Sequence, residues 1–349
     1  MDLFDCTRSI NKSHENDVLA RLTTVWGEEL DPEHVLEEYP RPQLKRDNFT
    51  ILNGYWRYAI TRSGDMPTTY DGTILVPFSP ESILSGVERQ LQPDEYLWYE
   101  RGIFITAEDY ASLSSKKLIL HFGAVDQTAL VCLNGRKVCT HTGGYLPFEA
   151  DLTPFLREGC NSLSLRVRDA SDASYHSRGK QTLKRGGMFY TAQSGIWQTV
   201  WMEWVPKNYI RKFYLTPDYD KGELHIRMLT HGTAPVRIQV FEESNCICDD
   251  SYKEPVPPKK KESSASALSA AKRNPEGTGN IGYEGRKVAD EGKGIARASA
   301  YHVLPYDDAQ TVAMVIPARR LYLNVLPYHI EAQFLHGTDI VNKRLVGRG

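Results

Sequence analysis

Residues able to make and break bonds are abundant in this sequence, but nothing in their spacing arranges them for it. No G-x-S-x-G, H-E-x-x-H or phosphate-binding P-loop motif occurs, which sets aside the commonest serine-hydrolase, zinc-protease and nucleotide-binding signatures. The ten histidines are dispersed. His121 falls inside an alternating, strand-like run, where a packed or surface imidazole is the plain expectation. Carboxylates are numerous, yet no pair is singled out by spacing. The six cysteines include Cys132 and Cys139, which flank a predicted hairpin, and the lone C-x-C of Cys246 and Cys248. No second Cys/His pair follows at zinc-finger spacing, so neither a metal nor another cofactor is expected. One stretch does gather functional groups. Between 178 and 198, Arg178, Lys180, Gln181 and Gln193 supply donors and acceptors, and Tyr190 and Trp197 supply apolar faces with a polar tip. Gly179, Gly186, Gly187 and Gly195 permit tight turns among them.

The elements around this stretch read as strands. Leu118, Leu120 and Phe122 point one way, and Ile119 and His121 the other. Ala129, Val131 and Leu133 repeat the pattern, and Asn134-Gly135 follows at once, a strong signal for a two-residue hairpin turn. Leu163, Leu165 and Val167 alternate with Ser164, Arg166 and Arg168, and Thr199–Trp204 is a further run. Trp56, Trp98, Ile196 and Trp197 read as core, and Gly143-Gly144 as a bend or a close backbone approach. Thr153-Pro154 reads as a helix start. Short strands separated by turn residues predict a β-sandwich. A second set holds Leu224–Met228, Val236–Val240, Val312–Ile316 and Ile330–Phe334, which predict two hairpin-like pairs and a smaller sandwich.

Composition sets the limits. With 349 residues, two or three domains fit. A formal charge of −2 argues against nucleic acid, which selects a basic face. No apolar run reaches the ~18–20 residues of a membrane span. The start, Met1–Cys6, lacks the basic-then-apolar plan of a signal peptide, so a cytoplasmic location is expected. Residues 1–45 read as a leader, partly helical: Leu19, Leu22 and Trp26 have helical spacing, and Asp31-Pro32 resembles an N-cap followed by proline at the first helical position. Residues 249–300 hold Pro255–Pro258, Lys259–Lys261 and a Ser/Ala/Gly-rich run, and are expected to be a disordered insertion.

The motifs of the first sandwich occur in a telling order. They are Pro40-Arg41-Pro42-Gln43, Leu52-Asn53-Gly54-Tyr55-Trp56, Ile74–Phe78 with Glu81-Ser82, and Trp98-Tyr99-Glu100-Arg101. Then come Leu120–Asp126, Asn134-Gly135, His141–Phe148, Arg178–Gln181 and Tyr190–Gln198. This series resembles the sugar-binding jelly roll of glycoside hydrolase family two, the family of β-galactosidases, β-glucuronidases and β-mannosidases. More faintly, Val205-Pro206, Tyr209-Ile210, Val312–Pro317 and Tyr328–Ile330 are similar to the family's immunoglobulin-like sandwich, although Tyr322-Leu323-Asn324 stands where the family usually has Trp-Ser-Pro.

The resemblance implies an all-β chain: a jelly-roll β-sandwich over 46–206, then a smaller immunoglobulin-like β-sandwich over 207–349. It also implies a (β/α)₈ barrel of about 250 residues beyond these domains, carrying the acid/base and nucleophile that a retaining glycosidase holds ~5–5.5 Å apart. No catalytic residue is carried over to this chain. The rim implied for the substrate consists of Arg178, Lys180, Gln181, Tyr190, Thr191 and Gln193. Carbohydrates present C–H faces and hydroxyl edges, which this mixture suits. Phe189 stands near the place where some relatives bring an acidic residue to the sugar or a cation, so no metal is implied. Expected partners are carbohydrate and a barrel of the same or a neighbouring chain; the resemblance also admits a homo-oligomer. A stand-alone carbohydrate-binding module and a degraded, non-functional remnant are the alternative readings.

Overall fold

The computed structural model describes residues 24–218 except 42, 43 and 45, together with 223–232, 236–242, 245–251, 300–306, 309–317, 328–334 and 340–345. The described residues form two compact units. One comprises the segment up to Pro40 together with Asn48–Trp204; the other comprises Arg41–Asp47 and the residues from Val205 on.

In the first unit the strands run β1 (Phe49–Ile51), β2 (Gly54–Thr61), β3 (Gly72–Val76), β4 (Tyr96–Ile105), β5 (Lys116–Phe122), β6 (Val125–Asp126) and β7 (Thr128–Leu133). They continue as β8 (Arg136–Thr142), β9 (Phe148–Asp151), β10 (Gly159–Arg168), β11 (Gln181–Thr182), β12 (Tyr190–Thr191), β13 (Gly195–Ile196) and β14 (Val200–Pro206). A six-stranded sheet of order β3-β2-β4-β10-β7-β8 faces a four-stranded sheet of order β1-β14-β5-β9. The non-sequential order is that of a jelly roll. Trp56, Leu97, Tyr99, Val131 and Leu165 of the larger sheet pack with Leu118, Leu120, Phe122 and Val200 of the smaller. The period-2 alternation read from the sequence places these residues on the inner faces.

The outer faces depart from the simple alternation. Ile119 and His121 are buried too, not exposed opposite the core. His121 stacks on Trp201 with centroids 4.7 Å apart, and its Nε2 lies 2.9 Å from Oε1 of buried Glu203. The Tyr39 hydroxyl donates to Oε2 of the same carboxylate at 2.9 Å. Trp98 is buried, as expected, but its neighbours Leu97 and Tyr99 enter the core, so Trp98 lies on the opposite face. There the Arg166 guanidinium sits 5.8 Å from its ring.

Two expected helix starts are turns. At Asp31, Oδ1 accepts the Glu33 N–H at 3.0 Å, and the only helix before β1 among the described residues is the single turn Val25–Glu28. Thr153 opens a 3₁₀ turn, Thr153–Phe155, with no side-chain cap; its Oγ1 instead accepts the Leu118 N–H at 3.1 Å. The hairpin at Asn134-Gly135 forms as read, with φ of 53° and 75°.

The second unit is an immunoglobulin-like sandwich. Its strands are β15 (Tyr209–Asp218), β16 (Glu223–His231), β17 (Val236–Glu242), β18 (Asn245–Ser251), β19 (Ala300–Tyr306), β20 (Ala309–Pro317), β21 (Tyr328–Phe334) and β22 (Ile340–Leu345). The sheets have orders β15-β16-β20-β19 and β18-β17-β21-β22. The expected hairpin pairs are not the pairs formed. β16 joins β20 rather than β17, with Leu224 opposite Ile316, and β17 joins β21, with Val240 opposite Ile330. The chain changes sheet only between β16 and β17, β18 and β19, and β20 and β21 of the described strands. Residues 249–251 finish β18 and Ala300 opens β19; the remainder of the expected insertion, and Tyr322-Leu323-Asn324, lie outside the described residues.

Candidate functional site

The stretch from 178 to 198 is organised by two short strands and a reversal. β11 and β12 pair in parallel, Gln181 opposite Tyr190 and Thr182 opposite Thr191. The chain turns back between them through Gly186 and Gly187, with Gly187 at φ 60°. Gly186 and Phe189 exchange backbone hydrogen bonds of 3.3 and 3.1 Å. The Tyr190 N–H donates to the Lys180 carbonyl at 2.7 Å, and the Gln193 N–H to Gln181 Oε1 at 2.9 Å. The Ser79 hydroxyl donates to Gln193 Oε1, and Arg185 donates to Thr191 Oγ1 at 3.2 Å. Five of the six expected rim residues, Lys180, Gln181, Tyr190, Thr191 and Gln193, are therefore brought together. Tyr190 is 69% exposed. Arg178 precedes them with a buried Nε that makes no hydrogen bond among the described residues.

Ile196 and Trp197 part company. Ile196 is fully buried and its N–H donates to the Tyr99 hydroxyl at 3.1 Å. Trp197 is exposed, not core, and stands edge-on to Tyr145 with centroids 6.0 Å apart. Its indole N–H donates to the Gly144 carbonyl at 2.7 Å, which fixes the ring.

Beneath this aromatic pair lies a group that the sequence did not single out. β6 pairs with β13, placing Asp126 opposite Gly195. Asp126 is buried, and its Oδ1 makes no hydrogen bond among the described residues. Burial pushes its carboxyl up to about 7, and the charges of Asp169 and Glu81 add to the rise. Gly144 roofs it closely: a Cβ there would come within 2.5 Å of the Asp126 carboxylate. Asp169 is also raised by burial, against the hydrogen bond its Oδ1 accepts from the Ser171 N–H at 2.7 Å. Glu81 is raised by burial too. It accepts from the Ser194 hydroxyl at 2.6 Å and the Ser194 N–H at 3.1 Å, tying β13 to the loop after β3. Burial also raises the Tyr145 phenol, with Asp126 and Asp169 contributing. A carboxylate near neutrality under an exposed Tyr–Trp pair can accept a hydrogen bond from a hydroxyl group, or donate one when protonated. Among the described residues no group of three or more His, Cys, Asp or Glu is placed to hold a metal ion.

Residues 80–206, spanning β4 to β14 and the whole of this site, match the family described as "Glycosyl hydrolases family 2, sugar binding domain". Over these residues the chain is similar to glycosyl hydrolase family 2. The chain is 30% identical over 190 residues to a putative β-glucuronidase of Formosa agariphila, an alignment covering 54% of this chain and 20% of that protein. To the β-galactosidase large subunit of Latilactobacillus sakei it is 28% identical over 222 residues, covering 52% of this chain and 34% of the other. The structure of β-glucuronidase from Ruminococcus gnavus superposes over 88% of this chain and 46% of its own, with a TM-score of 0.55 and 16% identity, and so shares the fold. The chain thus spans less than half the length of these relatives.

Proposed function

We propose that this chain is the non-catalytic, N-terminal portion of a family 2 β-glycosidase, serving as scaffold and as one wall of the substrate site. A (β/α)₈ barrel, in the same polypeptide or a neighbouring one, would supply the two carboxylates that hydrolyse a terminal β-linked sugar. The observation that carries this reading is the cluster around β6 and β13: Asp126 buried against Gly144, whose carbonyl holds the exposed Trp197 edge-on to Tyr145, with Tyr190, Thr191 and Gln193 just before β13 in the chain. Aromatic faces meet the C–H side of a sugar, and the amides, Lys180 and Arg178 meet its hydroxyls. Cys132, Cys139 and Cys160 are free thiols, and the proposed location is the cytoplasm.

The test is an assay of the 349-residue chain on 4-nitrophenyl β-D-glucuronide and β-D-galactoside. The expected result is no turnover above buffer. Enzyme-like turnover that disappears in Glu81→Gln, Asp126→Asn or Asp169→Asn would overturn the non-catalytic reading.

A further inference from the structure

A cavity of about 350 Å³ lies on the outer face of the six-stranded sheet and shares no lining residue with the rim. Alternation puts Tyr55 and Arg57 of β2, Glu100 and Gly102 of β4, and Cys160 and Ser162 of β10 on this face. The register sets Arg57 opposite Glu100, Gly102 opposite Ser162, and Phe104 opposite Cys160. The hollow exists because the middle of the sheet carries small residues. A Cβ placed on Gly102 would meet nothing within 4 Å. Tyr55, Arg57 and the turn at Pro32 and Glu33 contribute to the walls. Phe104, 58% exposed, stands two residues beyond Gly102 on the same face.

The polar groups here are held in place. Glu100 accepts from Arg57 and, at 2.6 Å, from the Ser162 hydroxyl. Tyr70 also hydrogen-bonds Glu100, and the Arg57 guanidinium lies 4.3 Å from the Tyr70 ring centroid. Arg101 is anchored from below by donating to the carbonyls of Leu52 and Asn53, each at 2.7 Å. Arginines 57, 101 and 157 and glutamates 33 and 100 line the cavity, so its charges nearly cancel. An anion would meet the carboxylates and a cation the guanidiniums. A ligand whose groups both donate and accept meets a partner at each. The volume is within the ~300–1,000 Å³ of small-molecule sites.

We propose that this groove is a second saccharide site, taking a neutral oligosaccharide along the sheet face between Tyr55 and Phe104. It stands independently of the function proposed for the rim.

The experiment is titration of the full chain with cellohexaose and xylohexaose by calorimetry, and by amide chemical-shift mapping. Gly102 has no positive φ, so Gly102→Leu fills the groove without backbone strain. Binding is expected to weaken at least ~10-fold in Gly102→Leu and in Glu100→Gln, and to persist in the rim variant Trp197→Ala. The wild-type shifts should centre on the amides of Gly102 and Ser162, a readout that remains valid if Gly102→Leu folds poorly. No binding of either hexaose at about 10 mM would overturn the proposal. So would shifts centred on 190–197, or citrate binding more tightly than either sugar.

Discussion

The interior of the first sandwich and the small cluster around β6 and β13 bury comparable groups to opposite ends. Between the sheets, Trp56, Phe122 and Leu165 are enclosed by other apolar side chains, and the polar atoms that enter find partners. The Trp56 indole donates to the Leu52 carbonyl at 2.7 Å, and the Tyr99 hydroxyl accepts from Ile196. Close by, Asp126 and Asp169 are buried and Glu81 is half-buried, the charges of Asp169 and Glu81 act on Asp126, and Asp126 keeps an oxygen without a hydrogen bond among the described residues. Burying an ionised carboxylate costs stability unless it is paired. The sandwich supplies the stability that the cluster costs.

The comparison predicts unequal responses to truncation. Phe122→Ala should cost about 3–5 kcal/mol, because it leaves a cavity in a packed interior. Asp126→Asn at pH 8 should be neutral or stabilising, because it removes a desolvated charge. Urea unfolding of the full chain, followed by tryptophan fluorescence, measures both. An Asp126→Asn loss as large as that of Phe122→Ala would show that the carboxylate is a structural element like the core.

The next effect isolates the contact that confines Asp126. Gly144→Ala should cost about 1–3 kcal/mol as an overpacked site, since the new Cβ would lie within 2.5 Å of the carboxylate. In an Asp126→Ala background the same change should cost little. The coupling between the two, from a double-mutant cycle, should account for most of the single-variant loss; additive effects would mean that Gly144 is required for another reason.

The strands were legible because their information is local. Leu118, Leu120 and Phe122 alternate, and Asn134-Gly135 carries the turn geometry in its own two residues. Pairing was less so. That Leu224 faces Ile316 depends on which strand crosses to which sheet, and alternation is silent on that. The rim residues on β11 and β12 came into view through family resemblance. Asp126 did not, because the elevated carboxyl is a property of burial: it depends on Gly144, Asp169 and Glu81, brought together from distant parts of the chain. For Trp197 the signal was present. Ile196 is core, and the next residue of a strand points the other way.

A pH titration sharpens the contrast. Asp126 rises from an ordinary 3.8 to about 7 in the folded chain. Between these values the folded state holds a proton that the unfolded state has released, so stability is fully present below about pH 4 and declines as pH rises through 7. The slope from one such group reaches at most ~1.4 kcal/mol per pH unit. Asp169 and Glu81, shifted in the same direction, add to the decline. Asp126→Asn should flatten the curve of unfolding free energy against pH mainly between 4 and 7, whereas Phe122→Ala should lower it evenly. A variant curve parallel to the wild type would remove Asp126 as the titrating group.

The smallest loss expected among the aromatic truncations belongs to the exposed ring of the proposed rim. Trp197 is 36% exposed and held by one hydrogen bond and one ring edge. Trp197→Ala should therefore cost only about 1–2 kcal/mol, against about 3–5 for a tryptophan buried in a core. Trp56→Ala provides that reference within the same domain, since Trp56 is 1% exposed and belongs to the interior cluster. Thermal unfolding of the two variants side by side measures the difference. Equal losses would mean that Trp197 supports the fold as a core residue does. A small loss in Trp197→Ala alone would show that the exposed ring has no major structural role, as the proposed substrate rim requires.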